Sequence, residues 1–338
     1  MIKVTMFSSA QKVAGQGVGS AYKELMRLLQ TYLADDFTVR VNKYGRSDIS
    51  HYHTIDPQFY LSTFFPNRGR KVGYVHFLPE TLVGSLQIPK IFQKVVSWYI
   101  ISFYKRMDQI IVVNPSFIPR LEEYGLDPDK ITYIPNFVSK SEFYPLNTEQ
   151  KEQLRVKYQI DPDKFVILGD GQVQKRKGID DFYRLAQNNP QLQFIWAGGF
   201  SFGKMTDGYE RYQQMIADPP ANLLFTGIVP REQLNEYLNL ADLFLLPSYD
   251  ELFPMSVLEA FNTETPVLLR NLDLYKAIID GYYLAAADYS QFNQAIQQLT
   301  QDSQQLKWWA QQSQKAAAYY SEEHLSQIWR DFYRKQLR

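Results

Sequence analysis

Residues 243–261 read LFLLPSYDELFPMSVLEAF and contain a strand, a loop and a helix in direct succession. The apolar run Leu243–Leu246 has the length of a buried strand, and Pro247 with the polar residues behind it predicts a loop. Ser256–Phe261 then shows helical periodicity. A strand that runs through a loop into a helix is the repeating unit of a parallel sheet wrapped by helices.

The same order recurs along the chain, which predicts an α/β protein with two doubly wound, Rossmann-like domains. The further strand and helix pairs are Ile2–Phe7 with Ala21–Leu33, Gln109–Val113 with Ile118–Glu123, Phe165–Leu168 with Asp180–Gln187, Gln193–Trp196 with Tyr209–Ile216, and Val267–Leu269 with Leu274–Ile279. The pattern breaks near residues 144–151, so we expect an N-terminal domain over residues 1–145 and a second domain from residue 146. We expect the two domains to face a cleft, with ligands at the carboxyl ends of the strands.

The composition excludes several classes of protein. A chain of 338 residues with 45% apolar and 21% charged residues is globular and long enough for two cores. It has no cysteine, which suits the cytoplasm, and its N-terminus lacks the features of a signal peptide. The 36 acidic residues balance the 36 Lys and Arg residues, which argues against nucleic-acid binding. The longest near-apolar run, Val95–Tyr104, has half of the ~20 residues that a spanning helix needs.

Two glutamates of the opening stretch are candidates for catalysis and ligand binding. Glu251 falls on the predicted loop and Glu259 on the first turns of the helix, with Pro254 near the helix start. Backbone N–H groups of Phe253, Met255 and their neighbours would point at a ligand at this helix N-terminus, where the helix dipole favours phosphate. The alternative is two solvated glutamates, but the order of strand, proline and helix favours a site.

A basic loop is the second candidate. Gly171–Gly178 (GQVQKRKG) follows a strand and opens a helix, so Arg176 and Lys177 lie where a diphosphate would bind. Positioned cations stabilise the negative charge of a bound phosphate group without any metal. A solvated basic loop is the alternative. Gly17 and Gly19 follow the first strand and form a weaker phosphate-binding candidate, because their spacing is not the dinucleotide fingerprint.

The stretch from Glu251 to Glu259 matches the Glu-x7-Glu motif, and the chain resembles retaining glycosyltransferases of the GT-B fold. Further anchors follow in the family's order: Asn114, Ile134–Asn136, Gly171–Gly178, Phe225–Val229, and Glu259–Phe261 with Pro266 and Val267. Residues 74–81 and 198–203 look like the glycolipid synthases of lipoteichoic-acid anchor formation in Gram-positive bacteria. This resemblance implies transfer of a hexose from UDP-galactose or UDP-glucose to a glucosyl-diacylglycerol acceptor.

The resemblance also implies roles for single residues. Glu259 would accept hydrogen bonds from the ribose hydroxyls of the donor, and Glu251 would lie beside the transferred sugar. Retention is compatible with a nucleophilic Glu251 or with same-face attack. His76, at the end of a strand, would lie near the anomeric carbon, although a lone histidine is as often structural. The remaining implied donor-binding positions are Gly17, Gly19 and Ile228.

Three positions depart from the family's pattern. Gln172 stands where arginine is usual, and Leu252 and Glu264 stand where glycine is frequent. These departures favour a non-catalytic, glycosyltransferase-like partner subunit as one alternative, although the retained glutamates argue against it. A UDP-sugar epimerase on the same scaffold is another alternative. In the resembled fold, the domain over 146–318 is followed by a helix, 319–338, that crosses back to the first domain.

We expect neither a metal nor an organic cofactor, because the nucleotide-sugar is the donor substrate. His51 and His53 are two residues apart in a predicted strand, and we expect them to point to opposite faces. Two histidines on opposite faces cannot ligate one metal ion.

The segment between Ile88 and Arg106 indicates a lipid partner. The longer stretch Thr81–Met107 contains no acidic residue. Aromatic side chains interleaved with lysine suit anionic headgroups and their acyl boundary, so we expect binding to an anionic membrane surface. The membrane-facing candidates are Lys90, Lys94, Trp98 and Lys105.

A helical wheel divides the rest of this segment. Phe92 and Val95 fall on the face opposite the lysines, which we expect to pack on the core, whereas Ile101 and Tyr104 lie beside the lysines. The alternative is a core helix with a solvated lysine edge. With a lipid acceptor, we expect a peripheral protein on the cytoplasmic side of the cell membrane.

Overall fold

The computed structural model describes residues 1–10, 17–79, 90–201 and 203–337. The chain forms two compact units: unit 1 comprises Met1–Phe137 with Glu322–Arg338, and unit 2 comprises Val138–Ser321. The sequence places these boundaries after residues 145 and 318, whereas the units divide after Phe137 and after Ser321.

Each unit is built on a parallel sheet. The strands of unit 1 are β1 (Ile2–Phe7), β2 (Phe37–Val41), β3 (Ile49–Tyr52), β4 (Arg70–Val75), β5 (Gln109–Val112) and β6 (Ile131–Tyr133). Those of unit 2 are β7 (Val166–Asp170), β8 (Gln193–Ala197), β9 (Leu223–Gly227), β10 (Leu243–Leu246), β11 (Val267–Arg270) and β12 (Leu284–Ala286). In the described residues the strand orders are β2-β1-β3-β4-β5-β6 and β12-β11-β10-β7-β8-β9. The predicted α/β class with two doubly wound domains is confirmed.

Helices follow most of the strands. They are α1 (Gly17–Thr31), α2 (Pro57–Ser62), α3 (Lys90–Lys105), α4 (Phe117–Glu123), α5 (Thr148–Lys157), α6 (Ile179–Asn188), α7 (Tyr209–Ala217), α8 (Arg231–Leu240), α9 (Met255–Asn262), α10 (Asp273–Lys276), α11 (Tyr289–Gln301), α12 (Ser303–Tyr319) and α13 (Glu322–Lys335). The central strands are apolar throughout because helices cover both faces of a parallel sheet. All four residues of β10 are fully buried, for example.

The last helix, α13, packs on unit 1. Trp329 and Tyr333 are buried, and the Tyr333 hydroxyl lies 2.7 Å from Nδ1 of His51 in β3. At the surface, Nε of Arg330 donates to the Asp36 carboxylate at 2.9 Å. The aromatic face of α13 therefore belongs to the core of unit 1, while its basic face is tied to the loop before β2.

The order of the strands in unit 2 determines which residues can form a site. Strand β10 lies between β7 and β11, and all three run parallel. Their carboxyl ends, at Asp170, Leu246 and Arg270, therefore share one edge of the sheet. Ligands of doubly wound domains bind at this edge.

Candidate functional site

Glu251 lies at the centre of a charged cluster beyond the end of β10. Nζ of Lys177 is 2.5 Å from its Oε1, and Nη1 of Arg176 is 3.4 Å from its Oε2. The Ser248 hydroxyl donates to Oε1 at 2.8 Å. Glu251 is only 5% exposed. The structure thus joins the predicted catalytic glutamate to both cations of the predicted phosphate loop.

The charged side chains of this cluster shift each other's pKa values. Burial by itself would raise the pKa of Glu251, but Lys177 and Arg176 outweigh it and hold that pKa below its usual value. Burial lowers the pKa of Lys177, and the neighbouring carboxylate of Glu251 opposes this effect. Glu251 is therefore an ionised carboxylate at neutral pH, which accepts hydrogen bonds from Lys177 and Ser248 and forms an ion pair with Arg176.

The loop that carries Glu251 is fixed by the carbonyl oxygen of Pro247. Nε of Arg270 donates to this oxygen at 3.1 Å. Gly178 has φ +72°, and a Cβ there would come within 2.1 Å of the same oxygen, so only glycine fits. The backbone N–H of Tyr249 donates to the carbonyl of Arg176 at 2.8 Å. The phosphate loop and the glutamate loop are thus held together by backbone contacts.

A second layer of side chains supports these loops. Arg270 at the end of β11 is buried and donates to Asp181 on α6 at 2.5 Å and to the carbonyl of Ala287 at 3.0 Å. Its guanidinium lies 4.0 Å from the centre of the Tyr249 ring, and the Tyr249 hydroxyl donates to Asp181 at 2.7 Å. Arg270 therefore connects three elements that surround Glu251, and sequence reasoning did not select it.

Glu259, on the second turn of α9, lies beside Arg231. Nη1 of Arg231 is 3.8 Å from Oε1 of Glu259, and Arg231 also pairs with Glu142. Burial raises the pKa of Glu259 to about 7; Arg231 opposes this effect, and the carboxyl groups of Asp170 and Glu142 add to it. Burial likewise raises the pKa of Asp170 at the end of β7 to about 7.

Sequence reasoning missed Asp170 and Arg231. Each had a signal: Asp170 is an acid at the carboxyl end of a buried strand, and Arg231 follows Pro230 at the start of α8. Arg231 and Lys177 both lower the pKa of Asp170, so each cation lies within electrostatic reach of that carboxyl group. The candidate site of unit 2 therefore has three carboxyl groups and three cations, the third cation being Arg176.

The other predicted donor-binding residues of unit 2 lie at the start of α9 and directly after β9. The side chains of Phe253 and Met255 are buried, with Phe253 edge-on to Tyr320. Pro254 caps α9. Ile228 is 46% exposed, and its Cγ1 lies 3.3 Å from where a Cβ of Gly199 would be.

In unit 1, His76 belongs to a buried aromatic cluster. Its Nε2 lies 2.9 Å from Nδ1 of His53, and its ring stacks on Tyr74 with a centroid distance of 4.3 Å. Burial lowers the pKa of His76 to about 3, so the imidazole is neutral. The expectation for His51 and His53 is wrong: their rings are 5.7 Å apart on one side, because side chains two residues apart in a strand share a face.

The predicted glycine positions lie at the start of α1. Gly17 is its first residue and is exposed, whereas Gly19 is buried two residues further along. The stretch at residues 11–16, which precedes them, lies outside the described residues.

The surface of α3 differs from its helical wheel. Phe92 and Val95, predicted to pack on the core, are 57% and 60% exposed, whereas Ile101 and Tyr104 are buried. The first turns of α3 project from the domain, so apolar residues lie on their outer face as well. Lys94, Trp98 and Lys105 are exposed as predicted. The side chain of Lys90 and all of Ile88 lie outside the described residues.

Comparison with known proteins assigns this chain to a family. The model of the glycosyl transferases group 1 matches residues 150–316, and that of glycosyltransferase family 4 matches residues 14–142. The α-galactosylglucosyldiacylglycerol synthase of Streptococcus pneumoniae is 52% identical over 336 residues, which cover 99% of this chain and 90% of the synthase. This chain belongs to the glycosyltransferases.

More distant relatives agree with the fold. The processive diacylglycerol α-glucosyltransferase of Acholeplasma laidlawii is 23% identical, over 81% of this chain and 80% of that enzyme. Anabaena HepE in complex with UDP and glucose superposes with a TM-score of 0.79 at 15% identity, over 99% of this chain and 100% of HepE. The lipopolysaccharide glycosyltransferase WaaG gives 0.70 at 16% identity, covering 97% and 99% of the two chains.

Family membership gives the cluster of unit 2 a chemical meaning. Membership of the glycosyltransferases favours sugar transfer over the epimerase alternative. An enzyme that uses a nucleotide-sugar must hold this donor and stabilise the negative charge of the departing nucleotide. Lys177 and Arg176 can stabilise that negative charge, and ionised Glu251 can accept hydrogen bonds from sugar hydroxyls. The individual roles of Glu251, Glu259 and His76 stay predictions.

Proposed function

We propose that this glycosyltransferase transfers galactose from UDP-galactose to the glucose of a glucosyl-diacylglycerol, with retention of the α configuration. The observation that carries the proposal is that Glu251, ion-paired with Lys177 and Arg176, lies at the carboxyl edge of the unit 2 sheet in a chain 52% identical to α-galactosylglucosyldiacylglycerol synthase. The name of that relative describes a galactosyl-glucosyl lipid as product. UDP-glucose is the alternative donor.

The charges around Glu251 support transfer without a metal ion. When the bond between the sugar C1 and the phosphate oxygen breaks, its electron pair stays on UDP. Lys177 and Arg176 are placed to stabilise that charge, and Arg231 adds a third cation to the same edge. The acceptor hydroxyl forms the new bond to C1, and its proton passes to the phosphate oxygen of the departing UDP. Turnover is therefore expected to persist in EDTA.

The surface of α3 supports a lipid acceptor. Trp98 is 67% exposed with Lys94 one turn before it, so an apolar ring and an ammonium project from the same side of the helix. No helix in the described part of the chain is long and apolar enough to span a membrane. We therefore place the enzyme at the surface of the cytoplasmic leaflet, attached to anionic lipid through Lys90, Lys94, Trp98 and Lys105.

One assay tests the reaction. The purified protein is given UDP-galactose or UDP-glucose, each with diacylglycerol or glucosyl-diacylglycerol in vesicles that contain phosphatidylglycerol, and the product is analysed by NMR. The expected product is a galactosyl-glucosyl lipid that carries a single galactose in α linkage, formed from UDP-galactose and glucosyl-diacylglycerol. A Glu251→Gln variant is the matched control for contaminating activity.

Each other result contradicts a defined part of the proposal. Transfer to diacylglycerol alone would contradict the acceptor, a β linkage would contradict retention, and transfer only from UDP-glucose would contradict the donor. Conversion of a UDP-sugar into its epimer would support the epimerase alternative. Intact binding of UDP-galactose without any turnover would support a non-catalytic subunit.

A further inference from the structure

A second apolar surface lies at the end of α2. Leu61 is 62% exposed, Phe64 is 56% exposed and Phe65 is 61% exposed, and all three fall within five residues. Single exposed apolar residues are ordinary on protein surfaces, but a contiguous group of large ones marks an interaction site. We call the stretch from Leu61 to Phe65 the α2 corner.

The α2 corner is structurally joined to α3. The ring of Tyr60 lies 5.5 Å from the ring of Phe64 and 5.5 Å from the ring of Tyr99, and its hydroxyl lies 2.8 Å from Oγ of Ser102. Arg106, directly after α3, donates to the backbone carbonyl of Thr63 at 3.2 Å. These contacts fix the α2 corner against the helix that carries Trp98.

The charge of this part of the chain indicates what covers the α2 corner. Residues 57–107 contain seven Lys and Arg residues and one acid, Glu80. Five of these cations remain once buried Arg68 and Lys71, which pairs with Asp108, are set aside. The guanidinium of Arg106 lies 3.5 Å from the centre of the Phe64 ring, so a cation accompanies the exposed aromatic group. Exposed aromatics beside an excess of cations complement a surface with an apolar interior and anionic headgroups.

We infer that the α2 corner is a second membrane-inserting element, with Phe64 and Phe65 entering the same anionic lipid surface as Trp98. This inference rests on the proposed attachment of α3 to the membrane. A single helix that lies on a membrane can still rotate about its own axis. A second contact away from that axis fixes the orientation of unit 1, and two linked contacts bind more tightly than either alone.

The absence of native cysteine allows a direct test. Single cysteines replace Phe65, Trp98 or Val156, and each is labelled with the environment-sensitive fluorophore NBD; Val156, 79% exposed in unit 2, is the control. With phosphatidylglycerol vesicles, the labels at 65 and 98 should shift to the blue and be quenched by nitroxide lipids. The label at 156 should not respond, and phosphatidylcholine vesicles should give a weaker signal.

The outcomes separate the two proposals. If the label at 98 responds and the label at 65 stays in water, the α2 corner does not insert, while the attachment through α3 stands. If neither label responds, both proposals fail. A blue shift at position 65 without vesicles, rising with protein concentration, would make the α2 corner a protein interface and overturn the inference.

A second measurement does not depend on a label. Replacing both Phe64 and Phe65 by serine should weaken binding to phosphatidylglycerol vesicles about tenfold or more, because apolar area is lost from the contact. Melting temperature should fall only slightly, because Phe64 loses its contacts with Tyr60 and Arg106 while both phenylalanines are more than half exposed. Hydrolysis of UDP-galactose should be unchanged. Leu224→Ser, an exposed apolar position in unit 2, is the matched control. Equal binding by the double variant and the wild type would contradict insertion.

Discussion

Nζ of Lys177 lies 2.5 Å from Oε1 of Glu251, so the proposed phosphate-binding cation and the proposed sugar-binding carboxylate are each other's partner. In the proposed reaction, a donor diphosphate would compete with Glu251 for this ammonium. The ion pair therefore keeps Lys177 extended towards the edge of the sheet and keeps Glu251 ionised, so that both groups are held in place before the donor binds.

Replacing Lys177 by alanine should lower kcat/KM by about 10²–10³-fold, because charge on the departing diphosphate grows in the transition state. The variant also leaves buried Glu251 with Arg176 and Ser248, so its melting temperature should be measured in parallel. Lys175→Ala, an exposed lysine of the same loop, is the control. Turnover near that of the wild type would transfer the assignment to Arg176.

Replacing Glu259 by alanine should mainly raise the KM for the donor. A carboxylate that accepts ribose hydroxyls contributes roughly 1.5–3 kcal/mol, which corresponds to about a ten- to hundredfold change. Glu259→Gln keeps the volume and one acceptor and should lie between the alanine variant and the wild type. A donor KM within twofold of the wild type in Glu259→Ala would contradict the ribose assignment.

The two loops around Glu251 and Lys177 could be located from the sequence because the relevant order is local. Strand, loop and helix follow one another around Glu251, and the phosphate loop has the same organisation around Lys177. The contact between them follows from the pairing of β10 with β7. The links that Arg231 and Arg270 make depend on elements distant in the chain, and no local pattern specifies which long side chain bridges them.

The surface of α3 shows that helical periodicity alone does not predict which residues of a helix are buried. A helical wheel separates faces, but it does not contain the information on which turns are covered by other elements. The wheel thus assigned Phe92 and Val95 to the core, although the first turns of α3 project from the domain. The error for His51 and His53 is of another kind, since a strand repeat of two residues already places them on one face.

Replacing Arg270 by glutamine should destabilise unit 2 by about 3 kcal/mol, because it leaves half-buried Asp181 without its ionic partner and Pro247 without a donor. The double variant Arg270→Gln with Asp181→Asn should lose less than the sum of the single variants. Denaturant unfolding measures all three. Strict additivity would show that the pair does not act as one unit.

Glu264 adopts a left-handed backbone conformation that is strained for a residue with a Cβ atom and is unstrained for glycine. It has φ +60° at the end of α9, and its N–H donates to Phe261 while that of Thr265 donates to Ala260, the two bonds of a Schellman cap. Glu264→Gly should therefore stabilise the protein by about 1 kcal/mol without affecting turnover. Glu264→Ala keeps a Cβ in this conformation and should give no gain. An equal gain from alanine would attribute the effect to the lost carboxylate.

Asp170 and Glu259 together predict how stability depends on pH. Burial raises the pKa of each carboxyl group to about 7 in the folded protein, from 3.8 for Asp170 and 4.5 for Glu259. Below pH ~4 both states carry the protons; between pH ~4 and ~7 the unfolded chain loses them first, so stability falls as pH rises through this window.

Asp170→Asn removes one of these groups and replaces it with a neutral side chain of similar shape. Its gain in melting temperature over the wild type should therefore be larger at pH 8 than at pH 5, by about 2–4 °C for each kcal/mol in a domain of this size. Asp273→Asn, whose carboxylate is exposed, is the control and should show no such trend. A gain for Asp170→Asn that is the same at both pH values would mean that this carboxyl group titrates at its ordinary pKa, and that the edge of the sheet is more solvated than its burial implies.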